Sequence, residues 1–299
     1  MTMNIKKVIA RLIGAYLNLL VFILPQRAGR EGFYLFCTPQ GPPLKDHQRK
    51  FLESAERSCF VCNGDTIQVY RWGKGSKNLL FLHGWQSHSF RWRNYIESFS
   101  PEDYTIYALD APGHGLSGGR YLNLVIYTHV IEAFFRQYPP VHAVISHSLG
   151  SFAALYTFFR IPSLSVQKLI VTGIPGEAKE FVAFYQKMLG LSSRTINAVR
   201  RSFKTEIRHL PEYFSAAKFA TAVKIPGLII HDEEDIETPY HHAIQIHRVW
   251  KESKLITTSG LGHNLRSAAV VKHIVDFVNH SGVPSINTHS QPTADMSQS

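Results

Sequence analysis

The chain has 299 residues, of which 44% are hydrophobic and 18% charged, so it is neither disordered nor a small module and suits one large domain carrying an insertion. Lys and Arg outnumber Asp and Glu by 32 to 22, but the basic residues are scattered. The tightest groups, Lys6-Lys7-Arg11, Arg91/Arg93 and Arg200-Arg201-Lys204, have no interleaved aromatics, so no nucleic-acid partner is expected.

Residues 8–24 are mostly apolar and follow Lys6 and Lys7, yet they hold Arg11 and Asn18 and reach only the lower length limit for crossing a bilayer. Pro25-Gln26-Arg27 comes next with no small-residue cleavage site, which disfavours a secretory signal peptide. Three placements stay open: a helix packed on the protein's own core or cap, a helix lying on a membrane surface, and a true anchor. Three cysteines are too few for a disulfide framework and point to a reducing, cytoplasmic compartment, with peripheral membrane contact through residues 8–24 as an open option. Cys59 and Cys62 form a C-x-x-C, but a redox pair needs a helix N-terminus, whereas this segment reads as a strand; buried or half-buried structural thiols are expected.

From about Thr66 the chain alternates β-rich runs with helix-period segments. Strands are predicted at 66–72, 78–82, 105–109, 143–146, 168–171, 227–230 and 254–258, and helices at 122–138, 148–160, 239–252 and 267–280. Such alternation gives a mostly parallel central sheet with helices on both faces. The rhythm breaks at residues 175–224, where helices at 177–188, 193–201 and 211–222 read as a cap inserted between two strands. The predicted organisation is an N-terminal helical extension (1–60), an α/β core (61–174 and 225–280), the cap (175–224) and a disordered Ser/Thr/Pro/Gln-rich tail (281–299). His241, His242 and His247 have no carboxylate or cysteine at zinc-motif spacing, so no metal or cofactor is expected.

The chemistry sits at strand ends. Val144-Ile145-Ser146-His147-Ser148-Leu149-Gly150 is a strand turning sharply into a helix, the setting that lifts a serine hydroxyl clear of a sheet, although Ser146 stands where a glycine is usual. A serine needs a base and a group to orient that base. The strand at 227–230 empties into the acidic loop His231-Asp232-Glu233-Glu234-Asp235, and the strand at 254–258 into Gly260-Leu261-Gly262-His263, so a carboxylate and an imidazole both arise beside Ser148. Taken singly, each is an ordinary turn residue; together, in this chain order, they point to nucleophilic catalysis.

With Leu80-Phe81-Leu82-His83-Gly84-Trp85 and Asp110-Ala111-Pro112-Gly113-His114-Gly115-Leu116-Ser117, these elements resemble the α/β-hydrolase family, in the manner of bacterial esterases and lipases, over roughly residues 66–280. The resemblance implies the α/β-hydrolase fold and a Ser148–His263–Asp235 triad, since the family's H-G-x-x-D-x-x-x-P pattern, here with Asp232 in the glycine place, selects Asp235 over Asp232 and Glu234. It implies oxyanion donors at the N–H groups of Trp85 and Leu149, and structural roles for Asp110 and His114. Gly84, Trp85, His147, Phe181 and Tyr185 are the expected substrate contacts, with Phe184, Met188, Leu189 and Leu191 extending an apolar lining for an acyl group.

The expected function is hydrolysis of a carboxylic ester or similar acyl bond through an acyl-enzyme. Two rivals are a triad-dependent lyase, synthase or acyltransferase, and a non-catalytic, membrane-associated binding protein on the same fold.

Overall fold

The computed structural model describes residues 5–41 and 43–280; the expected disordered tail falls outside the described residues. One sheet of eight described strands forms the centre, in the order β1-β2-β4-β3-β5-β6-β7-β8. They are β1 (Glu56–Cys62), β2 (Asp65–Trp72), β3 (Lys77–Leu82), β4 (Tyr104–Leu109), β5 (Val141–His147), β6 (Lys168–Thr172), β7 (Gly227–Asp232) and β8 (Ser253–Thr258). All pairings are parallel except β1 with β2 and β2 with β4.

Strand parity decides the layers, because successive side chains point to opposite faces. Leu80 and Leu82 of β3, Val144 of β5 and Ile229 of β7 join one apolar cluster, whereas Leu79 and Phe81, Ala143 and Ile145, and Leu228 and Ile230 join the other. The first face is covered by α5 (Leu124–Gln137), α6 (Leu149–Arg160), α9 (Ala216–Ala220) and α10 (His241–Val249), and the second by α4 (Arg93–Ile96) and α11 (Ala268–Asn279). Both faces being covered, the central strands read as unbroken apolar runs.

Two boundaries differ from the sequence reading. The first 60 residues are not all helical: α1 (Ile5–Ile23), α2 (Pro25–Phe36) and α3 (Asp46–Leu52) precede β1, which starts at Glu56 and turns back into β2 through Asn63-Gly64, both at positive φ. Along that strand Cys62 is buried but Cys59 is exposed, so only one of the two thiols is a core group. The segment at 211–222 is not cap: α9 and its flanks place Phe214, Phe219 and Val223 in the main core beside α6 and α10.

The remaining insert, α7 (Ala178–Leu189) and α8 (Ser193–Ile207), packs on α1 and α2 instead of on the sheet. Leu17, Phe33, Val182, Leu189, Val199 and Phe203 form its core. Asn18, the polar intruder in an apolar helix, is what ties α1 there: its side chain donates to the Gly190 carbonyl (2.9 Å) and accepts from Ser192 N (2.8 Å) and Thr195 Oγ1 (2.7 Å). Of the three placements open from the sequence, α1 takes the packed one with this face; no helix among the described residues is long and apolar enough to cross a membrane.

Candidate active site

Ser148 stands between β5 and α6 with φ 53° and ψ −123°, a strained conformation for a residue with a Cβ. The strain is held by neighbours: Ser148 N donates to the Thr172 carbonyl of β6 (2.9 Å), and Thr172 N donates to Ser151 Oγ (3.1 Å). The helix after the serine can approach only because position 150 lacks a side chain, since a Cβ there would lie 2.4 Å from the Leu82 carbonyl oxygen. Ser146, in the usual glycine place, is accommodated by a buried hydrogen bond from its Oγ to the Ile170 carbonyl (2.8 Å), while Thr172 Oγ1 donates to the Ser146 carbonyl (2.9 Å).

The loop after β3 presses on this elbow. A Cβ on Gly84 would sit 2.7 Å from Ser148 Cβ, so only glycine allows the approach. Two buried histidines fix the loop. His83 accepts from Ala111 N at Nε2 (2.9 Å), so its Nδ1 carries the proton and donates to the Gly84 carbonyl (2.7 Å). His114 accepts from Gln86 N (3.0 Å) and donates from Nδ1 to the Pro112 carbonyl (2.9 Å). Burial pushes both imidazoles below their ordinary pKa, which keeps each a one-donor, one-acceptor clamp. A planar trans peptide directs its C=O and N–H to opposite sides, so pinning the Gly84 carbonyl also sets the Trp85 N–H. Asp110 has the structural place expected of it, accepting from Ser89 N and Oγ, Tyr70 Oη and Leu116 N.

His263 and Asp235 arrive from the loops after β8 and β7. His263 Nε2 lies 2.9 Å from Ser148 Oγ, and its Nδ1 lies 2.8 Å from Asp235 Oδ2. Burial pushes the Asp235 carboxyl up, but hydrogen bonds from His263 and from Thr238 outweigh it and bring its pKa down to about 2. The carboxylate is therefore ionised at neutral pH and accepts from His263 Nδ1, which directs Nε2 at Ser148 Oγ. Asp232 is elsewhere engaged, accepting from Thr258 Oγ1 (2.7 Å) and Leu261 N (3.0 Å), which shapes the histidine loop.

Two residues of this arrangement were not singled out from the sequence. Thr238 donates from Oγ1 to Asp235 Oδ2 (2.7 Å) and from N to Oδ1 (2.9 Å), and its Oγ1 is 3.1 Å from His263 Nδ1. His231 donates from Nε2 to the Thr238 carbonyl (2.6 Å), bracing that loop from beneath. The only prior signal for Thr238 was its place between the strand and Pro239, which is too common to identify it, whereas His231, within β7, opens the H-G-x-x-D-x-x-x-P pattern without that pattern showing what it bonds.

Several expected substrate contacts are placed otherwise. His147 is buried and its Nε2 donates to the His263 carbonyl (2.9 Å), so it carries the histidine loop instead of facing a ligand. Tyr185 is buried against α2, its hydroxyl donating to the Gly32 carbonyl (2.9 Å) and its ring set edge-on to Phe36. Leu189 and Leu191 share that layer, while Phe181, Phe184 and Met188 are exposed, so the expected acyl lining is split between two surfaces. The cause is α1 and α2, which cover the apolar face of the cap. Trp85 stays beside the elbow with its ring edge-on to His114. The sequence offers no carboxylate to His241 and His242 at zinc-motif spacing, but the fold brings Glu180 across from the cap: the three offer ligand atoms within 4.8 Å of one another, and His242 Nε2 is 2.9 Å from Glu180 Oε2.

The profile of the alpha/beta hydrolase family matches residues 79–251. A pimeloyl-[acyl-carrier protein] methyl ester esterase of Nitrosospira multiformis is 28% identical over 152 residues, covering 48% of this chain and 56% of that protein. A protein phosphatase methylesterase 1 of Bos taurus is 30% identical over 161 residues, covering 49% of this chain and 42% of that protein. The chain thus spans about half the length of these relatives. Among solved structures, an esterase from Exiguobacterium antarcticum superposes with a TM-score of 0.59 at 16% identity, covering 75% of this chain and all of that one, a likeness of fold.

Proposed function

Because the chain belongs to the alpha/beta hydrolase family, we propose that it is a serine hydrolase cleaving carboxylic esters through an acyl-enzyme on Ser148. The observation that carries the reading is the continuous chain Ser148 Oγ, His263 Nε2, His263 Nδ1, Asp235 Oδ2, with steps of 2.9 and 2.8 Å across the ring. Ser148 Oγ attacks the acyl carbon while His263 Nε2 takes its proton, and Asp235 steadies the resulting imidazolium. The negative charge on the acyl oxygen is met by the N–H groups of Trp85 and Leu149, the second at the start of α6 where the helix dipole adds to it. His263 then returns the proton to the leaving alkoxide. A water, deprotonated by the same nitrogen, frees the acid and restores the serine.

Both relatives named above are, by their names, methyl esterases, which supports an ester with a small alcohol as the substrate class. The test is hydrolysis of p-nitrophenyl and methyl esters across a series of acyl-chain lengths. Turnover should be lost in Ser148→Ala; turnover equal in the variant refutes the assignment.

A further inference from the structure

An amphipathic helix on a protein surface normally keeps its apolar residues on the packed side, and α1 carries a second apolar row outside, next to its exposed Lys6, Lys7 and Arg11. Its packed side carries Gly14, Leu17 and Val21, and Asn18 lies beside them, docked to the α7–α8 turn. Its outer side carries Ile5, Ile9, Leu12, Tyr16, Leu19 and Ile23 at three- and four-residue steps, each between 49% and 74% exposed. These six mark one continuous apolar stripe, roughly 27 Å long at 1.5 Å per residue. The cap helix α7, packed on α1, adds Phe181, Phe184 and Met188, again at three- and four-residue steps and again exposed. Isolated exposed apolar residues are ordinary, but two packed helices that both turn an apolar row outward are not.

Charge chooses the occupant. The first acidic residue in the chain is Glu31, by which point Lys6, Lys7, Arg11, Arg27 and Arg30 have already appeared. On the flank of the stripe Arg194 lies over the Phe22 ring, 4.8 Å from its centroid, so a cation is held against the apolar surface. Arg27 is paired with Glu31 (2.7 Å), which also accepts from Tyr16 Oη, and Arg30 lies 3.7 Å from Glu206, so the cations that edge the rows are the exposed Lys7 and Arg11 of α1 together with Arg194. Apolar rows edged in this way suit a bilayer surface with anionic headgroups, where side chains enter the acyl boundary and Lys or Arg meet the phosphates.

We infer that α1 and α7 form a docking face for anionic membranes, on which the chain lies in the surface plane with the inner side of α1 still packed on its own cap. The inference does not rest on the proposed chemistry, since it is read out by binding alone.

The experiment is flotation of the full chain with vesicles of pure phosphatidylcholine, or of an equal mixture of phosphatidylcholine and phosphatidylglycerol, each at low and high salt. The mixed vesicles should carry the protein, and high salt or removal of phosphatidylglycerol should weaken this clearly. Leu12→Gln with Leu19→Gln, both exposed and uninvolved in packing, should lower partitioning by about a hundredfold, roughly tenfold per residue, with melting temperature and turnover of a soluble ester unchanged. Equal flotation of the variant overturns the inference, as does failure to float with either vesicle. If instead the chain self-associates in a concentration-dependent manner that the double substitution abolishes, the stripe is covered by a second copy and the membrane reading is wrong.

Discussion

The Thr238 hydroxyl donates a 2.7 Å hydrogen bond to Asp235 Oδ2, the same oxygen that faces His263 Nδ1 at 2.8 Å. One carboxylate oxygen thus has two donors in fixed directions, and the threonine sets the angle from which the histidine is held. In Thr238→Val the carboxylate keeps its place but loses that donor, and hydrogen bonds to charged groups contribute about 1.5–3 kcal/mol. The expected result is a fall in kcat of about ten- to a hundredfold with KM little changed, because the group orients the base and does not touch substrate. Steady-state kinetics check it; a rise in KM alone would place Thr238 in substrate binding instead.

Strain at the elbow should be measurable as stability. Ser148 holds φ at 53°, and glycine adopts such angles without a Cβ penalty. Ser148→Gly should therefore raise unfolding stability by about 1–2 kcal/mol while removing turnover. Urea denaturation reads this directly, and a destabilised variant would mean that the serine's hydrogen bond to His263 outweighs its backbone strain.

Lys168 is a structural counterpart at the opposite end of the sheet. Its Nζ donates to the carbonyls of Phe277 (2.7 Å), Val278 (2.7 Å) and His280 (2.6 Å), closing the C-terminal end of α11 where a cation also suits the helix dipole. Lys168→Met keeps the stem and strips the donors. The expected cost is about 2–4 kcal/mol of stability, from carbonyls left without partners. Activity per folded molecule should stay within about twofold, as the site is at the other end of the strands.

The buried histidines give the fold an acid limit. Burial holds His83, His114, His147 and His231 below their ordinary value of 6.5, so the folded chain keeps them neutral while an unfolded chain takes up protons. Their neutral burial is compatible with full stability above about pH 6.5, and stability is lost progressively as pH falls below it. The Asp235 carboxylate, at about 2, adds its own loss only at much lower pH, between the unfolded value and its own. Melting temperature should fall by on the order of 5 °C between pH 7 and pH 5 at constant ionic strength. A flat or rising profile over that interval would contradict the neutral assignment.

The core was legible because strand alternation is a local signal: each strand predicted from 66 to 258 lies within an observed one, extended by at most two residues at either end. Ser148, Asp235 and His263 could be picked out because each follows a strand, and a parallel sheet brings the ends of its strands to one edge whatever lies between. What was not legible depends on partners remote in sequence. Tyr185 looks like an acyl-pocket aromatic until Gly32 appears beside it, 153 residues away. His147 looks like a ligand contact until its nitrogen meets the His263 carbonyl. Ser146 looks like a flaw in the elbow, but its hydroxyl has a carbonyl to bond on the neighbouring strand. Residues 211–222 share helical periodicity with the cap, and only packing against α6 and α10 assigns them to the core.

The proposed transfer of the Ser148 proton to His263, with Asp235 steadying the imidazolium, is most directly tested by stoichiometric labelling with a fluorophosphonate, followed by mass spectrometry of the modified peptide. Labelling of Ser148 alone, at one equivalent, slowed by more than about a hundredfold in His263→Ala, is the expected result. Modification of a different residue, or undiminished ester turnover after Ser148 is fully labelled, would contradict it.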